Sequence, residues 1–389
     1  TYLMADLNLT RYVNLVGGVR YENIRTDYKS WGIRSITFIT SVLDTLPDNI
    51  AVRENDFFLP MINAKIMPFR WMDIRLAYTQ SIARPRYTSF MPRYIIDRDG
   101  NLSSIGNPVL RPALSENMDI YLSIHGNKVG LFTIGAFTKR IDGFEYSKQF
   151  NKDNPLSVEK LEEILLYPEI PDDLGTLRSI GRININSSEY SYVRGVEVDL
   201  QTTFWYLPAP LNGLTFSTNY TYSESEQTET RELVTVIRDA RGFPIDREYR
   251  DSSFITPLIG QPKHIFNASL GYDFKGFSAR LSYRHTAESF IGFVKAQTQL
   301  PEDRRLRAAY NQWDLAITYN IPWIEGLNVF FNATRFTNKI EGEYVKLSEG
   351  FNVIGFTPIS SVARNDPGIY PLRDRYYSNF LITGLKYQF

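Results

Sequence analysis

Apolar and polar side chains alternate along most of the chain, in segments about ten residues long. In the segment 313 to 320 the odd positions are Trp, Leu, Ile and Tyr, whereas the even positions are Asp, Ala, Thr and Asn. The segments 277 to 284, 195 to 204 and 214 to 223 repeat this pattern, and their charged residues occupy one face only. Because successive side chains of a β-strand point to opposite faces, the pattern predicts strands with one apolar and one polar face.

The alternation predicts about thirteen strands, joined by connections that are alternately short and long. The predicted strands lie at 2 to 10, 14 to 26, 57 to 67, 71 to 82, 116 to 125, 129 to 145, 189 to 204, 213 to 224, 263 to 273, 277 to 287, 311 to 320, 327 to 337 and 377 to 389. The long connections lie at 27 to 56, 83 to 115, 146 to 188, 225 to 262, 288 to 310 and 338 to 376. Membrane barrels have short periplasmic turns and long extracellular loops. We therefore predict an all-β fold, a transmembrane antiparallel up-and-down β-barrel, in a single domain with these six connections outside the cell and the C-terminus in the periplasm.

A soluble β-sandwich would also alternate, with its apolar faces packed between two sheets. Three features favour the membrane barrel: the strict alternation of short and long links, the Thr and Ala residues on the apolar faces, and the placement of tyrosines. Tyrosines recur near the ends of the apolar faces, where an interfacial aromatic belt is expected, at Tyr21, Tyr78, Tyr220, Tyr283 and Tyr319.

Composition narrows the range of functions. Lys and Arg together number 43, as do Asp and Glu, so no net charge favours binding to nucleic acid. The chain has no cysteine, which excludes thiolate chemistry, and no apolar run long enough for a transmembrane helix. The three histidines, His125, His264 and His285, fall on different predicted strands without metal-ligand spacing. The sequence therefore predicts no enzyme, no metal site and no cofactor.

Charged residues of both signs fall on the polar face of the predicted strands. They are Asp6, Arg20, Glu22, Lys65, Asp73, Arg75, Asp119, Glu197, Asp199, Arg280, Arg284 and Asp314. So many charges cannot stay dry and unpaired, so either water or a polar plug must fill the lumen that they face. An open porin explains these charges as well as a plugged barrel does.

The start of the chain and one loop carry further signals. The chain begins inside a strand pattern without a signal peptide, and the predicted strand number is odd, whereas single-chain bacterial barrels are even-stranded. We therefore expect further strands on the N-terminal side. Between Pro155 and Pro168, the segment 157 to 166 predicts a short amphipathic helix that packs on neighbouring loops.

Several motifs resemble, in the same order, those of TonB-dependent receptors. The segments 76 to 85 (LAYTQSIARP) and 106 to 119 (GNPVLRPALSENMD) are similar to the family's S-x-A-R-P and G-N-P-x-L-x-P-E-x-S-x-N-x-D, with Ala113 in place of the usual acid. Further matches lie at 135 to 144, 194 to 200, 260 to 272 and 327 to 339. The last residues, GLKYQF, resemble the family's barrel-closing signal, here Gly384, Leu385, Tyr387 and Phe389.

The resemblance implies a receptor of about 22 strands, of which about 13 are present here, and a plug domain that lies outside this chain. It further implies active import of a large nutrient, such as a ferric chelate, cobalamin, an oligosaccharide or a peptide, across the Gram-negative outer membrane. Implied partners are outer-membrane lipids, the TonB complex through an N-terminal segment outside this chain, and a surface lipoprotein lid. A passive porin and a structural or assembly barrel of an envelope complex remain alternatives.

The candidate ligand-binding residues are cations and aromatic residues of the predicted loops. They are Trp31, Arg84, Arg86, Tyr87, Arg93, Tyr94, Arg304, Arg305 and Arg307. Arginine binds carboxylates and phosphates through two parallel hydrogen bonds, so these residues suit an anionic chelate. Tyr and Trp would equally stack on sugar rings.

Overall fold

The computed structural model describes residues 1–32, 46–91, 94–96, 102–128, 130–149, 182–293, 304–336, 340–346 and 369–387. Its strands are β1 (Tyr2–Thr10), β2 (Val13–Gly32), β3 (Leu46–Phe69), β4 (Met72–Ala83), β5 (Tyr94–Ile96), β6 (Leu102–Ile105), β7 (Ala113–Gly126), β8 (Gly130–Asp142), β9 (Glu145–Gln149), β10 (Arg182–Asn186), β11 (Ser191–Thr203), β12 (Leu214–Arg238), β13 (Pro244–Thr256), β14 (His264–Phe274), β15 (Phe277–Thr286), β16 (Ser289–Phe293), β17 (Arg304–Arg307), β18 (Tyr310–Asn320), β19 (Leu327–Thr334), β20 (Ile340–Lys346), β21 (Ile369–Tyr376) and β22 (Phe380–Tyr387). The described helices are short: α1 (Tyr87–Phe90) and a 3₁₀ turn at Leu211–Gly213. Within the described ranges, neither has the length and hydropathy to cross a membrane.

Thirteen strands form one antiparallel meander in the order β1-β2-β3-β4-β7-β8-β11-β12-β14-β15-β18-β19-β22. Each strand pairs with the next strand of the meander, as expected of an up-and-down barrel wall, and the predicted barrel fold is confirmed. The strands β1 and β22 end this order, and no pairing joins them among the described residues. In hydrocarbon, their unpaired N–H and C=O groups would each cost several kcal/mol, so both edges need partner strands in the membrane.

The predicted connections contain more strand than the alternation indicates. β12 continues to Arg238 and pairs with β13, so the predicted loop at 225 to 262 is largely a hairpin. β2 and β3 likewise extend to Gly32 and from Leu46, which shortens the connection predicted at 27 to 56. The prediction fails here because both faces of these extensions carry polar or charged residues. The alternation of apolar and polar side chains is therefore lost, although the backbone ladder continues.

Two small sheets also occupy segments predicted as loops. One has the order β5-β6-β10-β9 and the other has the order β16-β17-β20-β21. Their strands are mostly three to five residues long and come from distant parts of the chain, so no local pattern predicts them. The predicted helix at 157 to 166 lies outside the described residues.

The strand register gives the sheet two chemically distinct faces. Cross-strand partners point to the same face, so each pairing carries the assignment to the next strand. On one face Leu270 pairs with Leu281, which pairs with Leu315. On the other face, one residue along, Ser282 pairs with both Ser269 and Asp314.

All twelve charged residues predicted to face the lumen lie on this second face. The assignment follows from continuous pairing across the meander, from the Asp6–Val16 pair in β1 and β2 to the Ser282–Asp314 pair in β15 and β18. Cavities open on this face, as expected of the concave side of a barrel wall. Contact of these residues with a plug stays a prediction.

Aromatic residues mark the limits of the apolar band on the convex face. Tyr21 packs on Phe58 with ring centroids 4.9 Å apart, and its hydroxyl donates to Asp56 over 2.6 Å. At the opposite end of the strands, Phe69 stacks on Trp71 at 5.2 Å. Rings with one polar handle suit a membrane–water interface, so the strand length between these belts spans the hydrocarbon.

The two faces predict opposite responses to one substitution at neighbouring positions. Leu281→Arg should destabilise the folded protein by about 2–4 kcal/mol, because it places a charge on the lipid face near mid-depth. Ser282→Arg is the matched control, and it should be tolerated because Arg280 and Arg284 already occupy that face. Urea unfolding in lipid bilayers measures both variants, and equal destabilisation would contradict the assignment of faces.

Candidate functional site

The predicted ligand residues of the first arginine-rich loop divide between several positions. Arg84 and Tyr87 lie at the concave side of the rim, where β4 ends and α1 begins. Arg86 precedes α1 and is exposed. Trp31 lies near the end of β2 and Tyr94 begins β5, whereas Arg93 lies outside the described residues.

An ion triad joins Arg84 to the barrel wall. Glu22 of β2 contacts both Arg20 and Arg84, the latter with 2.6 Å between nitrogen and oxygen. The Glu22 side chain is only 13% exposed, whereas those of Arg20 and Arg84 are 64% and 56% exposed. One carboxylate between two guanidinium groups leaves a net positive charge, and the exposed guanidinium faces are available to an anion.

Two neighbouring cavities share Arg84. The larger, of about 820 Å³, is lined by the whole ion triad and by apolar residues such as Leu59 and Met61. The smaller, of about 210 Å³, is lined by Arg84 together with Arg53, Tyr87, Phe90, Pro85 and Pro112. The Tyr87 ring is 71% exposed and contacts Phe90 at 5.4 Å between centroids. We call this group of Arg20, Glu22, Arg84 and Tyr87 the rim site.

Two of the sequence motifs contact each other beside the rim site. Arg111, from the motif at 106 to 119, donates two hydrogen bonds to the Asp142 carboxylate at 2.7 and 2.9 Å. Gly143 follows with φ 66°, and a Cβ there would stand 2.8 Å from the Arg111 guanidinium carbon. The left-handed backbone conformation therefore favours glycine at this position, and a larger residue would also displace the Arg111 guanidinium group. The two motifs belong to one packed unit, in which Leu110 is fully buried.

A second arginine group lies on the sheet β16-β17-β20-β21. Arg305 and Arg307 of β17 share a face with Glu343 of β20, and the register adds Arg373 and Arg375 of β21 to that face. Arg305 and Arg375 contact Glu343 at 3.3 and 3.4 Å, and the Glu343 side chain is 7% exposed.

The other predicted arginine of this loop behaves differently. Arg304 pairs with Lys346, and its place in the alternation of β17 assigns it to the opposite face. Sequence reasoning missed Arg373 and Arg375, although their alternation with Asp374 was the available signal.

On the opposite face of this small sheet, Tyr344 makes a hydrogen bond to the loop that follows β15. Its hydroxyl donates a short hydrogen bond to Glu288, and burial, together with that carboxylate, raises the pKa of Tyr344 well above its ordinary value. Tyr344 therefore stays a neutral donor at any physiological pH and ties β20 to the end of β15.

The histidines make ordinary hydrogen bonds within the barrel wall. His125 lies 3.8 Å from Asp73, between Nδ1 and Oδ2, and its Nε2 lies 2.8 Å from the Arg70 carbonyl. His264 contacts the Tyr220 hydroxyl at 2.8 Å, and His285 contacts Asn311 at 2.7 Å. Across the ranges that the structure describes, no group of three or more His, Cys, Asp or Glu side chains is arranged to hold a metal ion.

The Arg111–Asp142 pair predicts a pH-dependent contribution to stability. Asp142 ends β8 beyond the apolar band, and the Arg111 hydrogen bonds hold the pKa of its carboxyl below the ordinary value. A lowered carboxyl pKa stabilises the fold above the unfolded-state pKa of about 3.9, and this stability is lost as pH falls through the folded-state pKa. Both side chains are more than a third exposed, so screening limits the effect to about 1 kcal/mol or less.

Thermal unfolding in detergent between pH 7 and pH 2 tests this contribution. Arg111→Gln should lower the unfolding temperature at pH 7, and the difference from the unmodified protein should shrink below about pH 4. The exposed Arg86 provides the matched control, since Arg86→Gln should leave the curve unchanged. A difference between Arg111→Gln and the unmodified protein that persisted at pH 2 would contradict the ion-pair explanation.

A family model described as TonB dependent receptor-like, beta-barrel matches residues 1–334. No curated protein matches the chain by sequence. The ferric-catecholate import receptor Fiu of E. coli superposes with a TM-score of 0.56 at 14% identity, over 100% of this chain and 44% of that one.

Two further solved structures are similar in fold. The copper transporter OprC has a TM-score of 0.55 at 10% identity, over 87% of this chain and 42% of its own. The ferric enterobactin receptor PfeA from Pseudomonas aeruginosa has a TM-score of 0.53 at 14% identity, over 99% and 45%. Identities this low show the fold alone. The chain spans less than half the length of each of these three proteins.

Proposed function

We propose, on the premise that this chain belongs to the TonB-dependent receptor-like β-barrel family, that it is part of an active importer of a large anionic nutrient. Family membership makes it an outer-membrane protein of Gram-negative bacteria. The observation that carries the proposal is the rim site, where an ion triad of net positive charge lines an 820 Å³ cavity on the concave face. A ferric chelate with carboxylate or catecholate oxygens suits that charge and size.

Energy for import would come from the inner membrane through TonB, acting on a plug inside the barrel. The twelve charged residues of the concave face support this part, because they offer ion pairs and hydrogen bonds to a polar domain in the lumen. A polar lumen equally suits a passive porin or an assembly barrel. A surface lipoprotein that covers the loops would be a further partner, most useful if the cargo is a glycan or peptide.

The substrate class rests on chemistry at the rim. Fiu imports ferric catecholates and PfeA is a ferric enterobactin receptor, whereas OprC is a copper transporter. Ferric catecholates carry negative charge and aromatic rings, which fit Arg84 and the exposed Tyr87. Cobalamin, oligosaccharides and peptides remain the competing cargoes, and they would depend on Tyr87 more than on Arg84.

Dependence on inner-membrane energy separates import from diffusion. A strain that expresses the full-length receptor as its sole route for a ferric tris-catecholate should lose radiolabelled iron uptake when the TonB complex is deleted. The control is a small sugar that enters through general porins, whose uptake should not change. Iron uptake that survives the deletion would refute active import and favour a passive pore.

Single substitutions in the ion triad test the anionic cargo. Arg84→Gln should weaken binding of the ferric tris-catecholate about tenfold or more, because one charge-assisted hydrogen bond is lost. Glu22→Gln should strengthen binding, because both arginines lose their internal carboxylate partner. Arg86→Gln is the matched control, since Arg86 lines neither cavity.

Equilibrium binding to the purified receptor measures all three variants. Equal affinities for Arg84→Gln and the unmodified receptor would exclude the rim site. A response to cobalamin or an oligosaccharide alone would instead redirect the proposal to a neutral cargo.

A further inference from the structure

The helix α1 that presents Tyr87 cannot be stable by itself. It has four residues, and its N-cap position, Arg86, makes no side-chain capping bond. A single helical turn fixes several dihedral angles for little hydrogen bonding, so its formation is unfavourable in isolation. Contacts with the rest of the rim must therefore hold the turn, and with it the orientation of Tyr87.

Those contacts converge on Ser89, which is 7% exposed. Its carbonyl accepts a hydrogen bond from the Asn107 backbone N–H at 2.7 Å. Its hydroxyl accepts a second from Nδ2 of Asn184 at 2.9 Å. The neighbouring Thr88 is exposed. Both the backbone and the side chain of Ser89 thus hold the buried side of α1, while Tyr87 is exposed on the other side.

The groups that hold Ser89 are themselves fixed. Nδ2 of Asn184 also donates to Glu145 at 2.7 Å, and the Asn184 carbonyl accepts from the Asn107 side chain at 2.9 Å. Asn107 is 2% exposed, and its Oδ1 accepts from the Val109 N–H at 3.1 Å. The side-chain amides of Asn107 and Asn184 therefore each make two hydrogen bonds. These bonds restrict their rotation and, through Ser89, fix the position of α1.

A third asparagine, Asn186, links Asn107 and Asn184 to the contact between the motifs at 106 to 119 and 135 to 144. Nδ2 of Asn186 donates to the carbonyls of Arg111 and Gly143 at 2.9 and 2.7 Å, and its Oδ1 accepts from the Arg111 N–H at 2.9 Å. β10, which carries both Asn184 and Asn186, is thereby held against the loop that contains Asn107. We call Asn107, Asn184 and Asn186 the asparagine bracket.

We infer that the asparagine bracket positions α1, and that Asn184 is a positioning residue for ligand contact by Tyr87, 97 residues earlier in the chain. The inference rests on the proposed function for the role of Tyr87, but the mechanical link does not. Asn184 touches no cavity of the rim site, so its effect on ligand must pass through Ser89.

Amide hydrogen exchange of the full-length receptor in detergent tests the mechanical link without any ligand. Asn184→Ala and Ser89→Ala should each speed exchange of the Met91 amide, which bonds to the Tyr87 carbonyl, by about tenfold. The double variant should exchange no faster than Asn184→Ala alone, because Asn184→Ala already removes the hydrogen bond that Ser89→Ala removes. Thr88→Ala is the matched control on the same turn and should leave the rate unchanged.

Transport of a ferric tris-catecholate tests the functional link. Asn184→Ala should raise the half-saturating concentration several-fold and leave the maximal rate unchanged, a split that general unfolding would not produce. Adding Asn184→Ala to Tyr87→Ala should have no further effect on that concentration.

The outcomes separate the inference from the proposal beneath it. Unchanged exchange in Asn184→Ala, or an equal increase in Thr88→Ala, overturns the inference. A loss of maximal rate without a change in half-saturation also overturns it, because the bracket would then act on the whole fold. Faster exchange combined with normal transport in Tyr87→Ala overturns the rim site as the ligand site and leaves the bracket as the support of α1.

Discussion

Pairing of every backbone N–H and C=O group is the constraint on which this structure depends. In hydrocarbon no water can satisfy these groups, so a spanning sheet must pair each strand on both sides. All twelve adjacent pairs in the meander are antiparallel ladders, from β1 with β2 to β19 with β22. Once the ladders are set, side-chain direction is set as well, because a shift by one residue would move the apolar side chains of the lipid face to the lumen and the charged side chains of the concave face to lipid.

Outside the hydrocarbon the backbone no longer has to be paired within the sheet. Water can satisfy exposed groups there, so the extensions of β2, β3 and β12 no longer need an apolar face. There, side-chain hydrogen bonds and ion pairs connect the loops to one another. The Arg111–Asp142 pair and the asparagine bracket join segments that lie 31 to 95 residues apart in the chain. Such links let loops of little regular structure present Arg84 and Tyr87 in a defined geometry.

Two carboxylates, one at the rim and one on the small sheet, are paired with two arginines each. Glu22 lies between two arginines at the rim, and Glu343 lies between two others on the small sheet. In both places a largely buried carboxylate is stabilised by guanidinium groups that remain partly exposed. A positive surplus results without leaving a buried charge unpaired, which would be costly. These exposed donors are already oriented for the anionic ligand that we propose.

The sequence by itself determined the meander and the faces of its strands, because period-two alternation reports the contrast between lipid and lumen directly. The thirteen strand positions and the common face of residues from Asp6 to Asp314 follow from that contrast. The alternation did not predict the β12–β13 hairpin, the two small sheets or the approach of Arg373 and Arg375 to Glu343. Only the tertiary structure decided those, because outside the membrane polar residues face water on both sides and hydropathy no longer distinguishes a strand from a loop. The partners of Arg84 and Ser89 were decided in the same way, by contacts between segments whose separation no local pattern records.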